Sequence, residues 1–329
     1  MKKPVYKLLA GVAATLTFTF GQQASALNIA VTNDDGWSTY GIHALFNALT
    51  AAGHTVTLAG PLTGESGSSA AINLGGLIIQ KRGENVYSVA TSEGGSAEPA
   101  TSGLIATNIA FQMTNSQPDL LISGINDGAN LGPAAQISGT VGATIASISR
   151  FAGESIPAIA ISTNARCEEG SSGDDQVVPD PDDIPDACKE VADFIVELVD
   201  ELETLPHYSN GKSGILPAGL ALNINYPSAA PLGVKLADQG QLPYIAQLGG
   251  SAALKYECIG DCVNMAIGDI APGGRTGIIF INEDDIKKAD TDFFAEGYIT
   301  IVPIEADYTA NANASKGLLG TLNQFIKKH

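Results

Sequence analysis

Two adjacent carboxylates, Asp34 and Asp35, directly follow an apolar run in the sequence LNIAVTNDDGW. Neighbouring negative charges repel each other, and burying either one is costly without a partner. A divalent cation would relieve this repulsion and make the pair a metal site. In the alternative interpretation, Asp34 caps the helix that follows and Asp35 stays in solvent. The pair is therefore the first candidate for chemistry in this chain.

Two further polar, glycine-rich stretches follow apolar runs, GPLTGESGSS at residues 60–69 and SGINDGANLG at residues 123–132. The first offers the hydroxyl of Ser66, and the second offers the side-chain carbonyl of Asn126. Carboxylate, hydroxyl and carbonyl oxygens together suit Mg²⁺, Mn²⁺ or Ca²⁺ better than zinc or copper. If the three stretches converge, the ligand set is Asp34, Asp35, Ser66 and Asn126.

The stretch ISGTVGA at residues 137–143 contains a second kind of candidate site. Ser138, Gly139 and Thr140 stand where a helix is predicted to begin, so its first backbone N–H groups would face outward. A helix start of this kind binds phosphate readily, because the helix dipole adds to the N–H groups. An ordinary Ser/Thr helix cap explains the same residues equally well, and both interpretations remain open.

The periodicity of the first half predicts the elements that position these residues. Continuous apolar runs of strand length alternate with helical patterns, which indicates an α/β fold with a mostly parallel sheet covered by helices on both faces. In such sheets, ligands bind beyond the carboxyl ends of the strands, where all three polar stretches fall. The predicted strands are 27–32, 54–60, 86–91, 119–125 and 156–162, and the predicted helices are 42–53, 100–115 and 138–153.

The second half is less regular. Residues 166–186 are rich in Asp, Gly, Ser and Pro and are predicted to form a solvated acidic loop. An amphipathic helix is predicted next, over residues 191–202. The later predicted elements are strands at 219–227, 277–285 and 298–304 and a short helix at the C-terminus. The predicted organisation is a leader over residues 1–26, an α/β core over 27–227 and a C-terminal segment over 228–329.

Residues 1–26 have the pattern of a cleavable secretory signal peptide. Three lysines precede an apolar run over residues 8–20, which is too short to span a bilayer, and the small-residue sequence ASA ends at Ala26. We therefore expect a mature protein that starts near Leu27 and is periplasmic or secreted. A retained amphipathic anchor is the alternative.

The formal net charge of the chain is −18 at pH 7. Such a negative chain repels nucleic-acid polymers and anionic membranes, so neither is an expected partner. A divalent cation suits this charge, and an anionic substrate would need a metal or a local positive site. A small-molecule substrate is therefore the expected partner.

Four cysteines, Cys167, Cys188, Cys258 and Cys262, suit an oxidising compartment. Among the three possible connectivities, the predicted disulfides are Cys167–Cys188 and Cys258–Cys262. A zinc site with four thiolates is the rival interpretation, but the sequence lacks the usual close CxxC pairs.

Other chemistries fit these residues less well. None of the four histidines falls in the three polar stretches, which weakens a Ser–His–Asp scheme. The chain has no GxSxG elbow, and the glycines of SGINDGANLG lack the GxGxxG spacing of a dinucleotide site.

Taken together, the blocks AVTNDDGWSTYGIHAL, SGSSAAINL and PDLLISGINDGANLGPAAQISGTVGATIASI resemble the signature blocks of the SurE phosphatases, the 5′/3′-nucleotidases. The resemblance is strong over residues 27–162 and continues through LNINYP and GYITIVPI. It implies a Rossmann-like sheet with a protruding arm, and a homodimer or homotetramer joined through C-terminal segments. It also implies a metal-dependent phosphomonoesterase that releases phosphate from nucleoside monophosphates.

The resemblance also assigns roles to individual residues. The family's metal ligands correspond to Asp34, Asp35, Ser66 and Asn126, the set reached above from chemistry. The phosphate and substrate side corresponds to Asn33, Ser138, Gly139 and Thr140. The attacking group is either a water or one of the two aspartates acting as a covalent nucleophile, and the sequence leaves this choice open.

Three departures from the family pattern fall on the substrate side. Leu62 stands in place of the usual Asp, Ala70 in place of a common His, and GSAEPAT at residues 95–101 in place of GTPADCV. These changes suggest a broader acid phosphatase activity. They also motivate the hypothesis of an exported nucleotide-binding protein without turnover. A nucleosidase-type hydrolase is a further alternative, because nucleosidases also open with a strand followed by an Asp cluster.

Overall fold

The computed structural model describes most of the chain between Ala26 and Asp307. The described ranges are 26–151, 153–165, 167, 176–204, 215–217, 219–241, 254–256, 268–270 and 286–307. Four predicted features lie outside these ranges: the leader up to residue 25, the strand at 277–285, the C-terminal helix and the Cys258–Cys262 disulfide.

Strands and helices alternate through the described residues. The strands are β1 (Asn28–Thr32), β2 (Thr55–Pro61), β3 (Leu77–Gly83), β4 (Val86–Thr91), β5 (Leu120–Asp127), β6 (Ala158–Thr163), β7 (Leu220–Tyr226), β8 (Val234–Leu236), β9 (Leu254–Tyr256), β10 (Gly268–Ile270) and β11 (Ile299–Glu305). The α-helices are α1 (Tyr40–Ala51), α2 (Pro99–Thr114), α3 (Gly139–Ile148), α4 (Asp186–Thr204) and α5 (Asp290–Ala295), and a 3₁₀ turn covers Gly132–Gln136.

Nine of the described strands form one mostly parallel sheet in the order β3-β4-β2-β1-β5-β6-β7-β11-β8. Strand β1 lies inside the sheet, with Ile29 opposite Val56 of β2 on one side and opposite Leu120 of β5 on the other. The chain thus builds outward from β1 in one direction and then reverses to β5. This reversal makes the gap between β1 and β5 the topological switch point, where α/β sheets bind ligands.

The two faces of the sheet carry different cores. Ile29 and Val31 of β1 belong to a large aliphatic cluster with residues of α1 and α4, such as Leu45 and Ile195. Ala30, which points to the opposite face, belongs to a smaller cluster rich in alanine beneath α2. Small side chains on that face let α2 and α3 lie close to the sheet and to each other. The predicted α/β fold with helices on both faces is confirmed.

Two details in the first half of the chain differ from the prediction. Strand β3 was not predicted, because it is an antiparallel edge strand whose exposed residues give no continuous apolar run. The third helix was predicted to reach residue 153 but ends at Ile148, since Arg150 adopts a left-handed backbone with φ of 61°. As predicted, the sheet is mostly parallel; within it, β3 and β11 run antiparallel to their neighbours β4 and β7.

The segment beyond β7 contributes to the same sheet. Strand β11 pairs with β7, and β8 pairs with β11. The buried carboxylate of Asp290 accepts hydrogen bonds from the N–H groups of Gly132, at 3.1 and 3.2 Å, and of Gly240, at 2.8 Å. The C-terminal segment therefore holds the loop after β5 in place, while its predicted role in oligomerisation stays a prediction.

One predicted disulfide is present, between Cys167 and Cys188, with Cα atoms 5.8 Å apart. It closes a loop with a sequence separation of 21 residues, and chain-entropy arguments give such a crosslink a stabilisation of about 3 kcal/mol. Among the residues the structure describes, no helix is long and apolar enough to cross a membrane.

Candidate active site

The acid pair lies at the carboxyl end of β1, at the switch point of the sheet. Asp34 is 3% exposed and Asp35 is 8% exposed, so both carboxylates are buried. Asn33 fixes the turn that carries them: its Nδ2 donates to the Gly36 carbonyl (3.0 Å) and the Thr39 hydroxyl (3.1 Å), and its Oδ1 accepts from Gly36 N–H (3.3 Å). The described contacts of Asn33 are thus internal to the loop, and its role toward substrate stays a prediction.

Asp34 is held by the start of α3. Its Oδ2 accepts from the backbone N–H of Thr140 at 3.1 Å, and its Oδ1 accepts from the Thr140 hydroxyl. Burial raises the pKa of Asp34 above its ordinary value, and the hydrogen bonds from Thr140 and the Gly139 backbone offset this only in part. A cation beside this carboxylate would therefore stabilise its charged form.

Asp35 is tied to the end of β5. Its Oδ2 accepts from the backbone N–H of Asp127 at 3.1 Å, one residue beyond Asn126. The Nδ2 of Asn126 donates to the Gly128 carbonyl, so Oδ1 is the side-chain atom able to bind a cation. Asn126 is itself buried, and because the next residue, Asp127, hydrogen-bonds to Asp35, Asn126 lies at the same end of the sheet as the acid pair.

The loop after β2, which carries Ser66, contacts the loop of the acid pair. The backbone N–H of Glu65 donates to the Asp34 carbonyl at 2.7 Å, and Ser66 is the next residue. Further along, the Ser69 N–H donates to the Ile137 carbonyl (3.1 Å) and its hydroxyl to the Gln136 carbonyl (2.9 Å). The three predicted loops therefore converge, and metal binding by their side chains stays a prediction.

The start of α3 differs in detail from the predicted phosphate site. Ser138 is the helix N-cap, with its hydroxyl accepting from Val141 N–H at 3.1 Å. The N–H of Thr140 does not face outward as predicted, because it is directed at Asp34. A Cβ on Gly139 would lie 2.9 Å from the Cβ of Asp34, so only glycine allows this approach. The helix start thus supports the carboxylate directly, a link that the sequence analysis missed.

The donor set fits a hard cation. Within the described part of the chain, no group of three or more His, Cys, Asp or Glu residues is placed to hold a metal. The candidate set instead combines two buried carboxylates with a hydroxyl and an amide oxygen, the donors that Mg²⁺, Mn²⁺ and Ca²⁺ prefer. Zinc or copper would call for histidine or thiolate ligands.

The substrate side carries the departures from the family pattern. Leu62 is partly buried against the large aliphatic cluster. The side chain of Asn73 accepts from Glu98 N–H (2.7 Å), and Asn73 N–H donates to the Thr101 hydroxyl (2.8 Å), so residues 95–101 pack on the loop after β2. Partial burial raises the pKa of Glu65, a hydrogen bond with Ser96 opposes this, and the charge of Glu98 raises it further. The carboxylates of Glu65 and Glu98 therefore interact electrostatically, and Glu65 is the residue next to Ser66.

His43 of α1 is a structural histidine that is expected to make stability depend on pH. Its Nε2 lies 2.9 Å from the Trp37 carbonyl and donates to it, and burial lowers its pKa to about 4. Above about pH 6.5, both states leave it neutral and it contributes nothing. As the pH falls toward 4, His43 binds a proton in the unfolded chain but stays neutral in the folded protein. This difference destabilises the fold by up to about 3 kcal/mol.

Urea unfolding of the wild type and of His43→Gln at pH 7 and pH 5 measures this effect. Glutamine keeps an N–H donor but does not titrate. The unfolding free energy of the wild type should fall relative to the variant by about 2 kcal/mol between these two pH values. An unchanged difference between the two proteins would show that His43 titrates normally in the fold.

The fold and the site together define a doubly wound α/β protein with a buried acid pair at its topological switch point. The family model described as "Survival protein SurE" matches residues 29–245. The chain belongs to the SurE family.

Curated relatives are similar over almost their whole length. The "5'-nucleotidase SurE" of Xylella fastidiosa (strain M12) is 33% identical over 291 residues, which cover 86% of this chain and 91% of that protein. The protein of the same name from Gloeobacter violaceus is 28% identical over 302 residues, covering 89% and 95%. A crystal structure of a SurE protein from Aquifex aeolicus has a TM-score of 0.56 at 22% identity, covering 88% of this chain and 97% of that one. That last likeness shows the fold.

Proposed function

We propose that this protein is a metal-dependent phosphomonoesterase that hydrolyses nucleoside 5′- or 3′-monophosphates to nucleoside and phosphate. The observation that carries the proposal is the buried pair Asp34–Asp35 at the switch point, hydrogen-bonded to the loops that bear Ser66 and Asn126 and to the start of α3. Relatives named 5'-nucleotidase over most of the chain support the same activity.

Asp34, Asp35, Ser66 and Asn126 are the proposed ligands of the cation. When bound, a divalent ion supplies positive charge to a phosphoryl group and lowers the pKa of a water. Mg²⁺ or Mn²⁺, and also Ca²⁺, match these oxygen donors. The first N–H groups of α3 hold Asp34, so we propose that only the dipole of this helix, which begins at Ser138, Gly139 and Thr140, adds positive potential for an anionic substrate.

The contacts of Asp34 favour water over this aspartate as the attacking group. Both of its oxygens accept hydrogen bonds from Thr140, and the carboxylate is buried against the helix start. A carboxylate held in this way is oriented as a ligand and has little freedom to approach phosphorus. Thr140 and the N–H of Asp127 keep the two acids in place.

The rim of the site favours esters that carry a single phosphate. Glu65 and Glu98 place negative charge beside Ser66 and the start of α2, and this charge would repel the extra phosphates of nucleoside di- and triphosphates. Leu62 and Ala70 replace polar family residues on the same side, so we propose that the choice of leaving group is broad, as in an acid phosphatase.

A panel of phosphate esters tests this function against its two rivals. Purified protein is incubated with AMP, 3′-AMP, sugar phosphates and p-nitrophenyl phosphate in Mg²⁺, Mn²⁺ or Ca²⁺, and phosphate and free base are both measured. The proposal expects phosphate and nucleoside from AMP. Free base without phosphate would indicate a nucleosidase, and tight AMP binding with no product would indicate a binding protein without turnover.

We also propose that the protein is exported to the periplasm or secreted and works as a homodimer or homotetramer. The leader pattern in residues 1–26 and the disulfide between Cys167 and Cys188 support an oxidising compartment. The protein is isolated from the periplasm and the medium of the culture and measured by intact mass and by light scattering. A chain that starts before Leu27 would contradict cleavage of the leader. A monomer in light scattering would contradict the homodimer or homotetramer.

A further inference from the structure

We infer that Gln176 and the disulfide beside it position the acid pair from outside the active site. Cys167 and Cys188 close a loop whose described part, residues 176–187, is called the clamp segment here. It contacts the loop of Asp34 and Asp35 through Trp37. The inference rests on the proposed metal site and adds a residue, Gln176, that acts on this site through Trp37.

The first contact joins the disulfide to the start of α1. The backbone N–H of Gly41 donates to the Cys167 carbonyl at 2.8 Å. A Cβ on Gly41 would lie 2.2 Å from the Ile125 carbonyl oxygen and 3.3 Å from the Cys167 Cβ. The disulfide, the end of β5 and the first turn of α1 therefore lie in direct contact, six residues after Asp35.

The second contact joins the clamp segment to Trp37. The indole Nε1–H of Trp37 donates to the Gln176 Oε1 at 2.8 Å. Trp37 is 1% exposed, and a buried indole N–H that loses its acceptor is costly. Without Gln176, the ring must therefore turn or admit water to regain a partner.

Two other contacts connect Trp37 to its surroundings and help to hold the loop of the acid pair. Its N–H donates to the Pro61 carbonyl at 2.9 Å, and the Arg82 guanidinium lies 4.9 Å from its ring centroid. The residues before it are joined by the hydrogen bonds of Asn33 described above, so the loop is expected to move as one unit. A shift of Trp37 is then passed to Asp35, two residues away.

Reduction of the disulfide should loosen this support. A phosphine reductant attacks one sulfur and breaks the S–S bond, supplying two electrons. Water then gives its oxygen to the phosphine oxide and its two protons to the two thiols. We expect the two cysteines then to separate, which would weaken the contact of Cys167 with α1 and the contact of Gln176 with Trp37. Residues that orient metal ligands without touching the metal typically contribute about 10–100-fold to metal affinity. We therefore expect Mn²⁺ binding to weaken about tenfold.

Trp37 provides the measurement because it is the only tryptophan in the chain. Quenching of its fluorescence by Mn²⁺ is titrated in oxidised and reduced protein, in a Cys258→Ser/Cys262→Ser background so that only Cys167–Cys188 can form. Gln176→Leu removes the acceptor, Gln176→Glu keeps it, and Val177→Ala is the matched change on the next residue. Circular dichroism at the assay temperature confirms that every sample is folded.

The inference expects about tenfold weaker Mn²⁺ binding after reduction and in Gln176→Leu, with a red-shifted Trp37 emission in both. Gln176→Glu and Val177→Ala should bind as the oxidised parent does. Equal Mn²⁺ affinity in oxidised, reduced and Gln176→Leu protein would overturn the inference while leaving the metal site intact. No Mn²⁺ binding by the oxidised parent would overturn the metal site and the inference together.

Discussion

Asp34→Asn should abolish phosphate release while leaving the fold as stable as the wild type. Asparagine has the same shape but lacks the charge that holds a divalent cation. Even residues that only orient a metal ligand contribute about 10–100-fold to metal affinity or activity. Loss of a direct ligand should therefore lower kcat/KM for AMP by more than about a hundredfold. The measurement is phosphate release from AMP under saturating Mg²⁺ or Mn²⁺.

The expected stability of this variant follows from the same burial. Because desolvation raises the pKa of Asp34, its charged form is costly in the metal-free fold, and a neutral side chain removes that cost. Unfolding in EDTA should therefore give Asp34→Asn a midpoint equal to or above that of the wild type. Asp193→Asn, an exposed change of equal charge on α4, should keep both activity and stability. Substantial activity in Asp34→Asn would remove Asp34 from the site.

Gly142→Ala should disrupt the site through the loop of Ser66. A Cβ at position 142 would lie 1.8 Å from the Ser69 carbonyl oxygen and 2.6 Å from the Ala70 backbone nitrogen. Helix α3 is packed on the sheet, so the loop has to give way, and its hydrogen bonds to Ile137 and Gln136 should be lost. We expect a stability loss of about 1–3 kcal/mol together with loss of most activity, measured by urea unfolding and AMP hydrolysis.

Gly75→Ala is the matched control, because no atom lies within 4 Å of a Cβ built there. It makes the same chemical change near the same loop and should leave activity and unfolding unchanged. If Gly142→Ala proved as active and stable as Gly75→Ala, the close packing of the Ser69 turn against α3 would not hold in solution.

The elements that carry the site could be predicted because their patterns are local. The apolar runs before Asp34 and before Asn126 identify buried strands, and the polar residues that follow each run mark the carboxyl edge of the sheet. The convergence of these loops then follows from parallel strands. Edge strand β3 was not predicted, because its mostly exposed residues show no regular alternation of apolar and polar side chains.

The contacts that orient the site could not be predicted, because they join distant positions. Thr140 reaches Asp34 across 106 residues, and Gln176 lies 139 residues from Trp37. In the sequence, a Ser-Gly-Thr helix start looks the same whether its N–H groups face a phosphate or a carboxylate. Only the packing of α3 against β5 and β6 decides between the two, and no periodicity in the sequence records it.

Removing and then restoring the metal tests whether phosphate release depends on a bound divalent cation. The protein is treated with EDTA, dialysed free of chelator, and assayed for phosphate release from AMP before and after Mg²⁺ or Mn²⁺ is added. We expect the stripped protein to be inactive, and added metal to restore activity in the wild type but not in Asp34→Asn. Full activity of the stripped wild-type protein in excess EDTA would contradict it.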